Sequence, residues 1–458
     1  MTLDGVKKVY LAGIGGSSMS SLAEILFNRG YSVSGSDMQS SATTAHLESL
    51  GIKVYIGHSE DNVKNENPQV IIRTDAVSES NSEIAYALQA GIPVHRRAEL
   101  LGMILDGYDF PVGIAGTHGK TTTSGMIASI LAASGFDYSA IIGGSVKQLN
   151  SSYIIGKEEK FCVFESCEYK DSFLNFRPFV SVILNISKDH MEYFKTLDNL
   201  IGSFKKYLRN TKEGGTVVYN SECENSLKMI DDFQGKKVSF GIVKGSVTAY
   251  DISSVNGLYN FTIMYEGEKF CTVSLSVPGA HNVKNALAAA AAAIALGVSP
   301  EAVSKGLHDF AGTKRRFEYH CTVNGAVIAD DYAHHPDAYD VTFKTARELG
   351  FKRVIAIHQP HTFSRTKMLM NEFAQVLSQV DHVIVSPIYA ARETNDEYNV
   401  FAEDLVELLP NGEYQPDFEH IAQRVKEMAQ PGDLFITLGC GNIYLAAELI
   451  TEKYGDKC

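Results

Sequence analysis

The 458-residue chain contains no C-x-x-C pair. Its seven cysteines, Cys162, Cys167, Cys223, Cys271, Cys321, Cys440 and Cys458, are odd in number and scattered. That argues against a disulfide framework and against a zinc site of paired thiolates, and it fits a reducing cytoplasm. Long apolar runs are also missing. The longest alanine-rich stretch, 286–296, covers 11 residues, where a bilayer needs about 20. The apolar residues 9–14 are too few for a signal sequence and run straight into glycines. Neither export nor membrane insertion is expected. No Lys/Arg-rich run occurs and the net charge is −13, which argues against a nucleic acid or an anionic membrane surface as partner. Solenoid repeats and low-complexity tracts are absent as well.

What is present is the composition of an ordinary globular protein, 45% hydrophobic and 21% charged, in a length that suits about three domains. Residues 9–12, 32–35, 53–56, 70–73 and 93–94 read as strands, with helices at 19–28 and 43–50. That rhythm predicts a parallel sheet. A second block opens at Pro111, with strands at 112–115, 162–165 and 180–185 and helices at 121–134 and 281–296. Its stretch 216–277, rich in β-branched and aromatic residues with glycine turns, predicts mostly antiparallel strands. A third α/β block has strands at 326–329, 353–357, 382–385 and 434–437. The division is placed at 1–109, 110–312 and 313–458.

Gly116-Thr117-His118-Gly119-Lys120-Thr121-Thr122-Thr123 follows a predicted strand and opens a predicted helix. Glycines let backbone N–H groups approach phosphate oxygens, and the helix N-terminus adds the positive end of its dipole. Lys120 would reach the β- and γ-phosphates and Thr121 would ligate Mg²⁺. The spacing is shorter than the common G-x-x-x-x-G-K-[ST]. A second glycine turn, Gly13, Gly15, Gly16, Ser17 and Ser18, follows the first strand, and Asp37 ends the second. It approximates G-x-G-x-x-G without the third glycine. Alone, it suits the diphosphate of NAD or of a UDP group equally. Glu165, Glu168, Asp189 and His190 follow strand ends of the second block. They therefore belong to the same sheet edge as Lys120, and they suit Mg²⁺ ligation.

Seven segments, GTHGKTTT, ESCEYKDSFL, NISKDHMEYF, GAHNVKNALAA, GTKRRFEY, DDYAHHP and HQPHTFSRT, occur in that order. Together they resemble the Mur ligases of peptidoglycan precursor synthesis, over residues 9–441. The resemblance implies an α/β chain of three domains. The first is a Rossmann-like domain for a UDP-sugar, the second a central P-loop ATPase-type domain with extra antiparallel strands, and the third a C-terminal Rossmann-like domain that helps bind an amino acid. It assigns the first glycine loop and Asp37 to UDP. GIGGSSMS, HRRAELL, DDYAHHP and QPHTFSRT favour those members that use ATP and Mg²⁺ to join L-alanine to UDP-N-acetylmuramate through an acyl phosphate. A relative that attaches a peptide or another amino acid is the alternative.

The resemblance implies Lys120 as the phosphate lysine and Thr121, Glu165 and His190 as metal ligands. Asn282 and Asn285 would contact adenine. Arg316 and Asp331 would complete the nucleotide site from the third domain, brought in by domain closure. Tyr332, His334, His361 and Arg365 would meet the amino acid, with Lys120, His361 and Arg365 as catalytic residues. A cytoplasmic monomer or homodimer is expected. Two departures stand out: His358, where an apolar residue is expected, and Cys167-Glu168-Tyr169 in place of a more acidic run. Lys205 stands where some members carry a carbamylated lysine, and no such modification is expected here.

Overall fold

The computed structural model describes residue 3 and residues 5–147, 151–391 and 393–456. Three sheets carry the chain. The first is fully parallel, in the order β3-β2-β1-β4-β5, built from β1 (Lys8–Ala12), β2 (Ser32–Asp37), β3 (Lys53–Ile56), β4 (Val70–Arg73) and β5 (Val94–Arg96). The order reverses between β1 and β4, which opens a crevice at the C-terminal edge where the glycine loop lies. Gly13 turns there with φ +83°, and a Cβ on it would stand 2.6 Å from the Thr74 methyl group.

The central sheet has ten strands. They are β6 (Phe110–Ala115), β7 (Tyr138–Val146), β8 (Ser151–Ile154), β9 (Phe161–Glu165), β10 (Val180–Ile183), β11 (Thr216–Asn220), β12 (Lys236–Phe240), β13 (Val247–Val255), β14 (Leu258–Tyr265) and β15 (Glu268–Ser274). β6 lies between β9 and β10, parallel to both. The expectation of mostly antiparallel strands over 216–277 holds only for β13–β15. β11 and β12 extend the parallel part. The helix Glu224–Ile230 carries the chain back between them, and a crossover returns a strand in the same direction. Residues 286–293 of the helix His281–Ala295 have no exposed surface. Alanine's small side chain lets that helix lie against the phosphate-loop helix Lys120–Ala133 in one apolar core.

The third sheet runs β16-β17-β21-β18-β19-β20. Its strands are β16 (Glu318–Val323), β17 (Ala326–Asp331), β18 (Arg353–His358), β19 (His382–Val385), β20 (Gly412–Tyr414) and β21 (Asp433–Leu438), all parallel except β16. No helix among the described residues is long and apolar enough to cross a membrane.

Two junctions position the site. Directly after β5, the helix Arg97–Asp106 packs on the kinked segment Tyr169–Asn175. Its Leu101 and Ile104 share a core with Phe173, Phe176 and Phe204 of the central domain. Gly102 permits this approach, because a Cβ there would lie 2.4 Å from the Asn175 carbonyl oxygen. The third domain joins the central one through Lys314 N–H to the Ser145 carbonyl, 2.7 Å, and Lys147 N–H to the Gly312 carbonyl, 3.1 Å. Tyr259 also donates to Glu348, 3.0 Å.

Gly102 sits inside a helix, where alanine normally stabilises. Gly102→Ala is expected to do the reverse, lowering unfolding stability by about 1–3 kcal/mol through backbone overpacking. Urea unfolding measures this, and an unchanged or higher midpoint contradicts the close packing.

Candidate active site

β6 delivers the chain into the glycine turn, and the helix Lys120–Ala133 leaves it. Gly116 and Gly119 have φ +136° and +88°. A Cβ on Gly119 would stand 2.7 Å from the Asn285 side-chain oxygen. Side chains thus crowd the turn from outside, and no side chain caps the helix N-terminus on the inside. Uncapped N–H groups in the first turn of a helix are suited to bind phosphate oxygens.

Asn185, just past β10, holds the turn closed. Its backbone carbonyl accepts from Thr117 N–H at 3.1 Å, its side-chain oxygen accepts from His118 N–H at 2.9 Å, and its amide donates to the His118 carbonyl at 3.0 Å. Ser187 N–H donates to the Thr117 hydroxyl at 3.0 Å. Sequence reasoning missed this role. The only signal was an asparagine directly after a buried strand at the same sheet edge.

The Lys120 ammonium donates to the Gly116 carbonyl at 2.5 Å and to both Glu168 oxygens at 3.2 and 3.1 Å. Burial pulls the Lys120 pKa down, but the Glu168 carboxylate outweighs it and the net shift is upward. Lys120 is therefore a fixed positive charge.

Glu168, Asp189 and His190 each bring a ligand atom into one group whose members lie within 4.8 Å of one another. His190 has φ +54°, its N–H donates to Asp189 at 2.8 Å, and its ring lies 4.6 Å from that of Tyr169. This differs from the expected ligand set. Glu165 accepts from the Gly143 N–H of β7 at 2.8 Å and is not part of the group. Thr121, at the first helical turn, is buried. The side chain three residues past the strand end faces the loop, while the one at the strand end faces the neighbouring strand. The donor set of two carboxylates and an imidazole suits a divalent cation.

Asn285 lies against the phosphate loop at Gly119, with Asn282 next to it on the same helix. Asn285 donates to Asn282 at 2.9 Å, and Asn282 to the Pro278 carbonyl at 2.7 Å.

From the third domain, Asp331 accepts from Phe317 N–H at 2.9 Å and Ala333 N–H at 2.7 Å, with its pKa raised by burial. Asp331 thus shapes the loop that carries Arg316. Arg315, which sequence reasoning passed over, is committed to structure: it pairs with Asp330 at 3.0 Å and donates to the Gly439 carbonyl at 2.7 Å. The exposed Arg316 has its guanidinium 5.3 Å from the Tyr332 ring.

His334 Nδ1 lies 3.0 Å from the Tyr332 carbonyl, which makes Nδ1 the protonated nitrogen and leaves Nε2 as an acceptor. Burial, then Arg365 and Arg316, take its pKa to about 4, against the opposing hydrogen bond and Asp189. Arg365 also acts electrostatically on Tyr332 and Cys440. His361 stacks on Tyr389 at 5.6 Å, and its pKa is lowered by burial and then by Arg365. The electrostatic reach of Asp189 to His334, and of His335 and Asp337 to His118, shows the third domain facing the phosphate loop.

Three further features named from the sequence lie elsewhere. Gly15 N–H donates to Asp37 at 2.9 Å, and Gly16 caps the helix Ser17–Asn28 without a side-chain bond. Ser18 is exposed, while the Ser17 side chain lies outside the described residues. Lys205 pairs with Asp232 at 2.7 Å. His358, the unexpected polar residue, is fully enclosed on β18 between Tyr339 and Phe373, with Nδ1 2.7 Å from the Tyr339 hydroxyl. Burial takes its pKa to about 3.

Comparison with known proteins places these features in a family. The Mur ligase family catalytic domain matches residues 8–109, the Mur ligase middle domain 114–293 and the Mur ligase glutamate ligase domain 315–441. The chain is 43% identical over 452 residues to a UDP-N-acetylmuramate–L-alanine ligase of Acetivibrio thermocellus, covering 97% of this chain and 96% of the other. It is 42% identical to the enzyme of that name from Agathobacter rectalis, covering 97% and 98%. Among solved structures it resembles the UDP-N-acetylmuramate–alanine ligase of Thermotoga maritima, with TM-score 0.82, 29% identity, and 97% and 98% coverage. It shares the fold of a murein peptide ligase of Psychrobacter arcticus, with TM-score 0.74, 24% identity, and 99% and 100% coverage.

The His358 ring has a pH signature. Unfolded, it takes a proton near pH 6.5; folded, near 3. The unfolded state therefore binds more protons below pH 6.5, and stability falls as pH drops. By pH 5 this ring accounts for about 2 kcal/mol of the loss. His358→Gln is expected to shrink the stability difference between pH 7 and pH 5 by that amount in urea titrations. An unchanged difference contradicts the buried neutral ring.

Proposed function

The chain belongs to the Mur ligase family, and on that premise we propose that it joins L-alanine to the lactyl carboxylate of UDP-N-acetylmuramate, converting ATP to ADP and phosphate. The observation that carries this reading is the meeting of two half-sites. Lys120, Glu168, Asp189 and His190 form a phosphate and cation site on the central domain, and His334 and Arg365 face it from the third. The names of the relatives identical at 43% and 42% supply the substrates.

ATP would lie with its phosphates on the N–H groups after Gly119, its adenine near Asn282 and Asn285, and Arg316 reaching in from the third domain. Asp331 supports Arg316 through the 317 and 333 amides. Glu168, Asp189 and His190, with Thr121 beside Lys120, would hold Mg²⁺. That ion supplies charge neutralisation on the phosphates. Glu165 stays a candidate ligand, since the Gly143 amide engages only one of its two carboxylate oxygens. Gly13, Gly15, Gly16, Ser17, Ser18 and Asp37 would hold the UDP diphosphate and ribose.

A carboxylate oxygen of the sugar nucleotide forms a bond to the γ-phosphorus, the bond from that phosphorus to the ADP oxygen breaks, and ADP leaves. Lys120 is aimed where charge develops on the transferring group. The alanine amine then bonds to the acyl carbon, and phosphate departs with the bridging oxygen. Arg365 would pair with the alanine carboxylate. The amine must shed a proton. His361, whose Nδ1 has no hydrogen-bond partner among the described residues, would take it, while His334 and Tyr332 wall the amino-acid pocket. Proton transfer and positioning, not covalent catalysis by the protein, make up the chemistry. Both nucleotide substrates belong to the cytoplasm.

The test is ADP release with ATP, Mg²⁺ and UDP-N-acetylmuramate, adding L-alanine, glycine, L-serine or a tripeptide in turn. L-alanine is expected to give the fastest turnover, and none is expected without the sugar nucleotide. A preference for the tripeptide, or turnover independent of either partner, overturns the assignment. Lys120→Ala is expected to lower turnover by roughly a hundredfold or more with the fold intact.

A further inference from the structure

The first sheet and the central domain meet at Arg97. β5 ends at Arg96, and the helix Arg97–Asp106 begins at the next residue. All five strands of that sheet are parallel, so Arg97 stands at the same edge as the glycine loop after β1. β5 is two strands from β1, a lateral offset of about 10 Å. That is the reach from a diphosphate on the glycine loop, across one pyranose ring, to a substituent on its far side.

The helix that begins at Arg97 is clamped to the central domain. Gly102 lies against the Asn175 carbonyl, and Leu101 and Ile104 lie in the same core as Phe173. The position of Arg97 relative to the central site is therefore set by packing, not by a free linker. The segment it faces is the one that holds Lys120: its charge reaches the Cys167 thiol, and the next residue, Glu168, binds the Lys120 ammonium at 3.1 Å.

The half-buried Arg97 side chain makes no hydrogen bond or ion pair among the described contacts. The other arginines that are not exposed pair with carboxylates, Arg29 with Glu159, Arg73 with Glu79, Arg315 with Asp330, Arg353 with Asp433 and Arg424 with Glu413, and Arg365, beside His334, is the exception among the described contacts. A part-desolvated guanidinium between two phosphate cradles calls for an anion. Its planar fork matches a carboxylate with two parallel hydrogen bonds.

We propose that Arg97 binds the lactyl carboxylate of the acceptor substrate and holds it in line with the γ-phosphate at Lys120. The inference rests on the UDP-sugar reading above and adds a residue that the motif comparison did not assign. Arg97 stays charged at any working pH, so it orients the carboxylate without protonating the attacking oxygen. As the oxygen–phosphorus bond forms, negative charge moves from the carboxylate onto the phosphoryl group, from the side of Arg97 towards Lys120.

Calorimetric titration of the full-length protein with UDP-N-acetylmuramate and with UDP-N-acetylglucosamine, which lacks the lactyl group, tests this. Both are run with Mg²⁺ and a non-hydrolysable ATP analogue. Wild type is expected to favour the muramate. Arg97→Met is expected to weaken the muramate about tenfold or more, the scale of a charged hydrogen-bonded pair, and to leave the glucosamine nucleotide unchanged. Arg97→Lys should fall between. Unchanged glucosamine binding doubles as the folding control. If both nucleotides weaken together, or neither does, the role of Arg97 is wrong. If wild type does not favour the muramate, the substrate reading fails first and takes this inference with it.

Discussion

The site depends on one ion pair, Lys120 with Glu168. A positive charge fixed at the mouth of a glycine turn attracts phosphate, but its own burial disfavours it. Glu168 resolves that conflict and holds the ammonium in place. The same carboxylate is one corner of the Glu168–Asp189–His190 group. On the proposed reading, Lys120 and a divalent cation would share this ligand. With phosphates and metal bound there, Glu168 would have a new cation to face and Lys120 new anions. The exchange needs only side-chain rotation, because Asn185 pins the turn itself through three hydrogen bonds.

Around that pair, three sheets present chosen edges. The turns after β1, β5, β6, β9 and β10 all lie at C-terminal strand ends, where parallel sheets gather ligands. The two junctions differ in kind. The helix Arg97–Asp106 welds the first sheet to the central domain through a continuous apolar core. The third domain is attached by a few backbone hydrogen bonds and by Tyr259–Glu348. A weld suits a fixed distance between sugar nucleotide and ATP. A light attachment suits a domain that closes on an amino acid and then releases product.

Much of this was legible in the sequence, for physical reasons. The phosphate loop was visible because its glycines, lysine and threonines each answer a local demand of phosphate binding. β1, β4, β6 and β18 were visible because they are buried on both faces and read as apolar runs. The direction of β11 and β12 was not legible, because it depends on a seven-residue crossover helix, Glu224–Ile230. Glu168 was named as a neighbour of Lys120, but Glu165 was preferred as metal ligand. Only the three-dimensional course of the chain shows that Glu165 turns to the Gly143 amide. Arg315 and Arg316 are chemically identical in sequence. Arg315 is spent on Asp330 and the Gly439 carbonyl, and that follows from a backbone turn with φ +61°. His358 departed from the expected apolar residue, yet it behaves as one, neutral and enclosed beside Tyr339.

The central claim is that the carboxylate of the sugar nucleotide attacks ATP before the amine arrives. The most direct measurement follows oxygen. UDP-N-acetylmuramate carrying ¹⁸O in its lactyl carboxylate is converted with ATP, Mg²⁺ and L-alanine, and the released phosphate is examined by ³¹P NMR. One ¹⁸O atom transferred to phosphate for each amide bond formed is the result the account predicts. Phosphate free of ¹⁸O would contradict it.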